Sequence, residues 1–205
     1  MSCTDCKESN TGKGKKMPRT VASKIASQDF CFENSMVRIL ANRASPEIKL
    51  GGLSVGPFEE GNEYEVYFWA AQELEKSGIA RIHEEEKIDA AKLNKIQWTE
   101  RIQSPGQISN LPENFYPKVR RYLKNLKQEI VKDPEKVREY ERVRQLAQDI
   151  VNSRMKKIIS IASAPPQTEN ALRNLADEEK FLYEKLFKLI CQWKTQIIEQ
   201  QEGRR

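Results

Sequence analysis

The feature that most constrains this chain is a change of hydrophobic period near residue 83. Before it, apolar residues come in short alternating runs broken by Gly and Pro; after it, they recur every three or four residues. Alternation suits half-buried strands and the longer period suits amphipathic helices. The chain therefore reads as α+β: a small N-terminal β-rich module with one helix, followed by a larger all-helical bundle.

In the first part, Met36–Ala41 is a strand candidate and residues 42–46 carry turn chemistry. Ile48–Leu50 and Leu53–Val55 alternate around Gly51 and Gly52, a pair that suggests a bulge or bend. Val66, Ala70 and Leu74 are spaced by four, which predicts a helix over 66–76 with Gly78 at its C-terminal cap. Residues 79–82 return as a strand. A module this small is marginal alone and leans on its neighbours.

Residues 84–87 form a polar hinge, and Asp89 is placed to cap a helix carrying Leu93, Ile96 and Trp98. Ser104, Pro105 and Gly106 end it. Pro112 is expected to open the next helix, with Pro117 in its first turns and Val119, Tyr122, Leu126 and Ile130 as its stripe. Asp133 and Pro134 start a third helix with Val143, Ala147, Ile150, Arg154, Ile158 and Ile161 on one face, and residues 164–168 end it. The last helix runs from about Asp177 to Glu199. Its face of Leu182, Leu186, Leu189, Trp193 and Ile197 is widened by Phe181, Tyr183, Phe187 and Ile190. A helix apolar over so much of its circumference is buried on more than one side, which points to contact between subunits.

Residues 1–30 hold almost no large apolar side chain before Phe30, too little to offset ordering entropy. The expected division is a disordered tail over 1–33, the β-rich module over 34–86 and the helical domain over 87–205. Charged residues make up 32% of the chain, a load that suits long two-faced helices. The net charge of +5 is spread among acids rather than clustered, which permits at most weak non-specific contact with a DNA backbone. No apolar run reaches membrane-spanning length and no secretory core stands at the N-terminus, so a soluble cytoplasmic protein is expected.

Reacting groups are sparse. The single histidine, His83, lies beside Glu84, Glu85 and Glu86, and the simple reading is a solvated charge run at a junction. Cys3 and Cys6 have the two-residue spacing of zinc ligands, but only Cys31 and the distant His83 could complete four, so they are weak metal candidates. Cys191 falls on a helical apolar stretch as a small core residue. No phosphate loop, nucleophile elbow or dinucleotide fingerprint is present, so neither catalysis nor a cofactor is expected. Arg154, alone on an apolar face, reads as a buried arginine paired with an acid at a subunit contact.

The ordered set of residues resembles a known family. Val55-Gly-Pro-Phe58, Gly61, Glu65-Val66, Trp69 and the helix to Gly78 resemble the small B domain of GINS subunits. Leu111-Pro-Glu-Asn-Phe-Tyr116, with residues 118–126, is similar to the opening of the GINS helical A domain. Residues 154–159 and 178–183 are similar to its later helices. The B-before-A order resembles the archaeal subunit related to the eukaryotic partner-of-Sld-five subunits two and three. The resemblance implies a non-catalytic scaffold. It would assemble with a paralogue or itself as a tetramer, and bridge the MCM helicase to a Cdc45/RecJ-like partner at the replication fork. It implies Trp98, Phe115, Tyr116, Arg154, Phe181, Tyr183, Phe187 and Trp193 at subunit contacts, and Val55, Pro57, Phe58, Trp69 and Gly78 in the B-domain core. The competing reading is a free-standing DNA-binding regulator on a helical core. The unclustered charge and the lack of a helix-turn-helix signal count against it.

Overall fold

The structure, a computed structural model, describes residues 20–104, 107–131, 133–164 and 172–199. The expected tail over 1–33 is corrected in its second part. Val21–Glu33 forms a helix, α1, with the Thr20 hydroxyl accepting from the Ser23 N–H. This helix gathers its apolar residues on no single face and buries only Phe32, whose ring lies 4.4 Å from that of Phe68. One buried aromatic is too little to stand out in a hydrophobic pattern. Residues 1–19 of the tail lie outside the described residues.

The module follows as β1 (Met36–Ala41), β2 (Ile48–Leu50), β3 (Leu53–Val55), β4 (Glu63–Tyr67), α2 (Phe68–Lys76) and β5 (Ala80–Ile82). β1 is the centre of an antiparallel three-stranded sheet in the order β4-β1-β5. Val37, Ile39 and Ala41 face inward from β1, and Val66, Ala80 and Ile82 meet them. The other pair, β2 and β3, is a hairpin, so the Gly51–Gly52 step is neither bulge nor bend. Both glycines have positive φ, as a primed two-residue hairpin turn requires. A Cβ on Gly51 would also stand 3.3 Å from the ring of Trp69.

The helix expected from Val66 begins two residues later. Val66 is a strand residue paired with Val37, and α2 starts at Phe68. Val66, Ala70 and Leu74 are all buried, but their four-residue spacing crosses a strand-to-helix junction. Of the expected module core, Phe58 is buried, Val55 is half-buried against the core, and Trp69 is half-buried. Pro57 and Gly78 are exposed, which corrects their placement. Gly78, at φ +68°, follows the last helical turn as the left-handed cap that its place after the helix predicts. Phe32 and Phe68 supply the aromatic bulk in their place.

The bundle consists of α3 (Ala90–Ile102), α4 (Phe115–Ile130), α5 (Val137–Ser163) and α6 (Asp177–Glu199). Asp89 caps α3 by accepting from the Lys92 N–H at 2.7 Å. α4 starts at Phe115, behind Asn114 in the left-handed region, so Pro112 precedes the helix rather than opening it. Pro117 falls in the first turn, where its missing N–H removes no helical bond. The stripe of α5 is buried throughout, from Val143 to Ile161. Its first half packs with α3 and α4 around Leu93, Phe115 and Val143; its second half packs with α6 around Ile158, Ile161 and Tyr183.

Residues 84–86 are a single 3-10 turn. The Lys92 ammonium donates to the Glu84 and Lys87 carbonyls at 2.6 Å each, and Lys87 pairs with Glu75 at 2.7 Å. α1 ties the module to the bundle through Asp29–Arg120 and Glu33–Arg121, both at 2.5 Å. Arg121 also lies over the Phe68 ring, 5.5 Å from its centroid. Beside these contacts a cleft of about 340 Å³ separates module and bundle.

Candidate protein–protein interface

The site begins with one charged residue on an apolar stripe. Arg154 is 1% exposed, and all five of its N–H donors are engaged. Nε and Nη2 form a fork on Glu179 at 2.8 and 2.6 Å. Nη1 donates to Glu100 Oε1 at 2.9 Å and the Ser109 carbonyl at 2.6 Å, while Nη2 also reaches the Asn174 carbonyl at 3.1 Å. Lys157, one turn on, donates to the other oxygen of Glu100 at 2.7 Å. Two buried carboxylates thus face two buried cations. The cluster fixes α3, α5, α6 and the segments holding Ser109 and Asn174 to one another.

Each carboxylate has further support. Glu100 also accepts from the Ser109 hydroxyl. Burial alone would raise its pKa, but Lys157, Ser109 and Arg154 together hold it below the usual carboxylate range. Glu179 is the third residue of α6 and accepts from the Ala176 N–H at 2.9 Å, so it closes the start of its own helix. Tyr116 donates to Glu179 at 2.5 Å. Burial, then the charge and hydrogen bond of Glu179, push the phenol well above its ordinary pKa. The Arg154 guanidinium would be lowered by burial, but hydrogen bonds and charge from Glu179 and Glu100 outweigh this and raise it. Each of these groups is committed to a partner, and the cluster's chemistry is cohesion.

Arg154 is therefore a buried, paired arginine as its position on the stripe suggests, but the acids are its own chain's. The pairing is internal to this chain. Phe115 (2% exposed) and Tyr183 (8%) are interior as well, with Tyr183 stacked on Phe187 at 5.8 Å. Tyr116, Phe181 and Phe187 are half-buried.

Two of the expected contact residues are open to solvent: Trp98 on α3, 64% exposed, and Trp193 on α6, 60% exposed. Trp193 is not isolated. Leu189 and Ile197, four residues to either side, are 63% and 61% exposed, and Ile198 adjoins them. Where α6 meets α5 accounts for the exposure of its last turn. Glu179 meets Arg154, and further on Lys194 donates to the Ser163 carbonyl at 3.1 Å, so the two helices run in the same direction. α5 ends at Ser163. Residues 195–198 have no α5 beside them and are all exposed. The apolar stripe of α6 thus begins in the core at Leu182 and Leu186 and emerges as a ridge. Such ridges mark interaction surfaces, and covering each large side chain is worth about 1.5–3 kcal/mol.

His83 stands immediately before the 3-10 turn of residues 84–86. Its Nε2 stands 3.7 Å from Glu63, its Nδ1 is buried without a hydrogen-bond partner, and no group of His, Cys, Asp or Glu among the described residues could hold a metal ion. Cys3 and Cys6 lie outside the described residues. No described helix is long and apolar enough to cross a membrane. The sequence reading missed Glu100, Lys157 and Glu179. Their only signal is Arg154 itself, a cation that an apolar stripe tolerates only when neutralised.

Residues 82–198 match the Sld5 model, the GINS complex protein helical bundle domain. Residues 24–83 match the PSF2 N-terminal domain, a span that takes in most of α1. Among curated proteins, the human DNA replication complex GINS protein PSF2 is 26% identical over 133 residues, covering 65% of this chain and 68% of that one.

Proposed function

The chain belongs to the GINS family, and from that premise we propose that it acts as the PSF2-type scaffold of a GINS assembly, holding partners in place without catalysing a reaction. GINS chains are subunits of a DNA-replication complex, and its immediate partners are other GINS subunits. The wider role is to bridge the MCM helicase ring to a Cdc45/RecJ-like protein, so that the assembly unwinds DNA while the helicase hydrolyses ATP. The observation that carries this reading is the ridge of Leu189, Trp193 and Ile197 on α6. A scaffold works by fixing geometry, and that requires surfaces of this kind rather than reacting groups.

The test is a reconstituted unwinding assay. The chain alone is expected to hydrolyse neither ATP nor DNA, and to raise unwinding when mixed with helicase, GINS partners and the RecJ-like protein. Trp193→Ala is expected to lose assembly and stimulation together, while His83→Ala keeps both. Stimulation by a Trp193 variant that no longer assembles would overturn the reading.

A further inference from the structure

We propose that the groove between α1, α5 and α6 is a docking site for a segment of a partner protein that presents bulky apolar side chains flanked by carboxylates. The groove encloses about 300 Å³. Its walls are Val21 and Ile25 from α1, Val151 and Met155 from α5, and Phe181 and Leu182 from α6. Val21, Val151 and Met155 stay 59, 44 and 40% exposed, so the walls are open to an incoming chain.

The charges at the groove select the occupant. Its carboxylates are already matched: Glu179 is held by Arg154, and Glu178 faces Arg120 at 3.3 Å. Its two lysines are not. Lys185 sits over the Phe181 ring at 5.5 Å, and no carboxylate among the described residues pairs with it or with Lys24. An apolar trough with unmatched cations favours apolar anchors beside acids. The same charge argues against a second copy of this chain. Its exposed ridge on α6 is flanked by Lys188 and Lys194, which the groove's lysines would repel. α1 forms one wall, and it is held in place by Phe32 against Phe68 and by the pairs of Asp29 with Arg120 and Glu33 with Arg121. This surface is distinct from the α6 ridge, and its variants leave that ridge intact.

The experiment uses the full chain and two fluorescently labelled synthetic helical peptides with identical Leu and Phe positions. One carries Glu at the flanking positions and the other carries Lys. Anisotropy titration is expected to show the acidic peptide binding roughly tenfold more tightly, a preference that shrinks as salt is raised. Met155→Glu is expected to abolish binding, Lys24→Glu with Lys185→Glu to reverse the preference, and Trp193→Ala to change neither. Thermal melts confirm that each variant is folded. Binding of neither peptide, equal binding of both, or unchanged binding by Met155→Glu overturns the proposal. So does a change in the chain's own mass on Met155→Glu, which would place a second copy in the groove.

Discussion

The two halves of α6 carry one apolar stripe and meet opposite fates. From Glu179 to Phe187 the helix lies against α5. Its carboxylate is locked onto Arg154 and its Tyr183 is buried. From Leu189 to Ile198 the same pattern continues with large apolar side chains in solvent. The sequence does not change character between them; Leu189 and Trp193 lie on a side of α6 that α5 does not cover, and beyond Lys194 α5 has ended. The comparison teaches that apolar periodicity reports that a face will be covered, without reporting by what. The first half is buried within this chain, and the second half presents its apolar side chains to solvent.

Substitutions can break this division, beginning where the effect is largest. Arg154→Ala leaves Glu100 and Glu179 buried with unmatched charge and is expected to cost about 3–5 kcal/mol, measured by urea unfolding. Tyr183→Ala opens a cavity in the first half and is expected to cost about 3 kcal/mol. Its counterpart in the second half, Trp193→Ala, is expected to change stability by less than about 0.5 kcal/mol when both chains are unfolded at concentrations low enough to be monomeric. Equal costs for Tyr183 and Trp193 would erase the distinction between the halves.

Acid sharpens the same point. The folded pKa of Glu100 lies below its ordinary value of 4.5, so the folded state binds fewer protons than the unfolded chain in that window. The stability that Glu100 contributes is present above pH 4.5 and is lost as pH falls from there through the folded value. Thermal melts across that range are expected to show the loss in the wild type and a weaker loss in Glu100→Gln, whose melting temperature is lower at neutral pH.

Much of the fold was legible because it rests on local rules. Asp89 as a cap, Gly78 as a terminator and the stripe of α5 follow from spacing within a few residues. The start of α2 was misread because Val66 in β4 stands four residues before Ala70, a spacing that a helix would also produce. α1 was hidden because what holds it is one aromatic and two ion pairs to α4, residues 88 and 91 positions away. The cluster at Arg154 was half legible. The arginine stood out on its stripe, but Glu100 and Glu179 lie 54 and 25 residues away and look like any other helical glutamates. The interface residues divided for the same reason: Phe115, Tyr183 and Trp193 belong to similar apolar patterns, and only the third dimension separates core from surface.

The most direct test of the central claim is the mass of the folded chain in solution. Light scattering at micromolar concentration is expected to give an assembly of several copies, or a chain soluble only with its GINS partner. Trp193→Glu is expected to give a monomer of 23.8 kDa that still unfolds cooperatively, without the added stability that assembly lends the wild type. A wild-type chain that is a well-folded, soluble monomer, or a Trp193→Glu variant that keeps the wild-type mass, would contradict the assignment of the distal half of α6 to subunit contact.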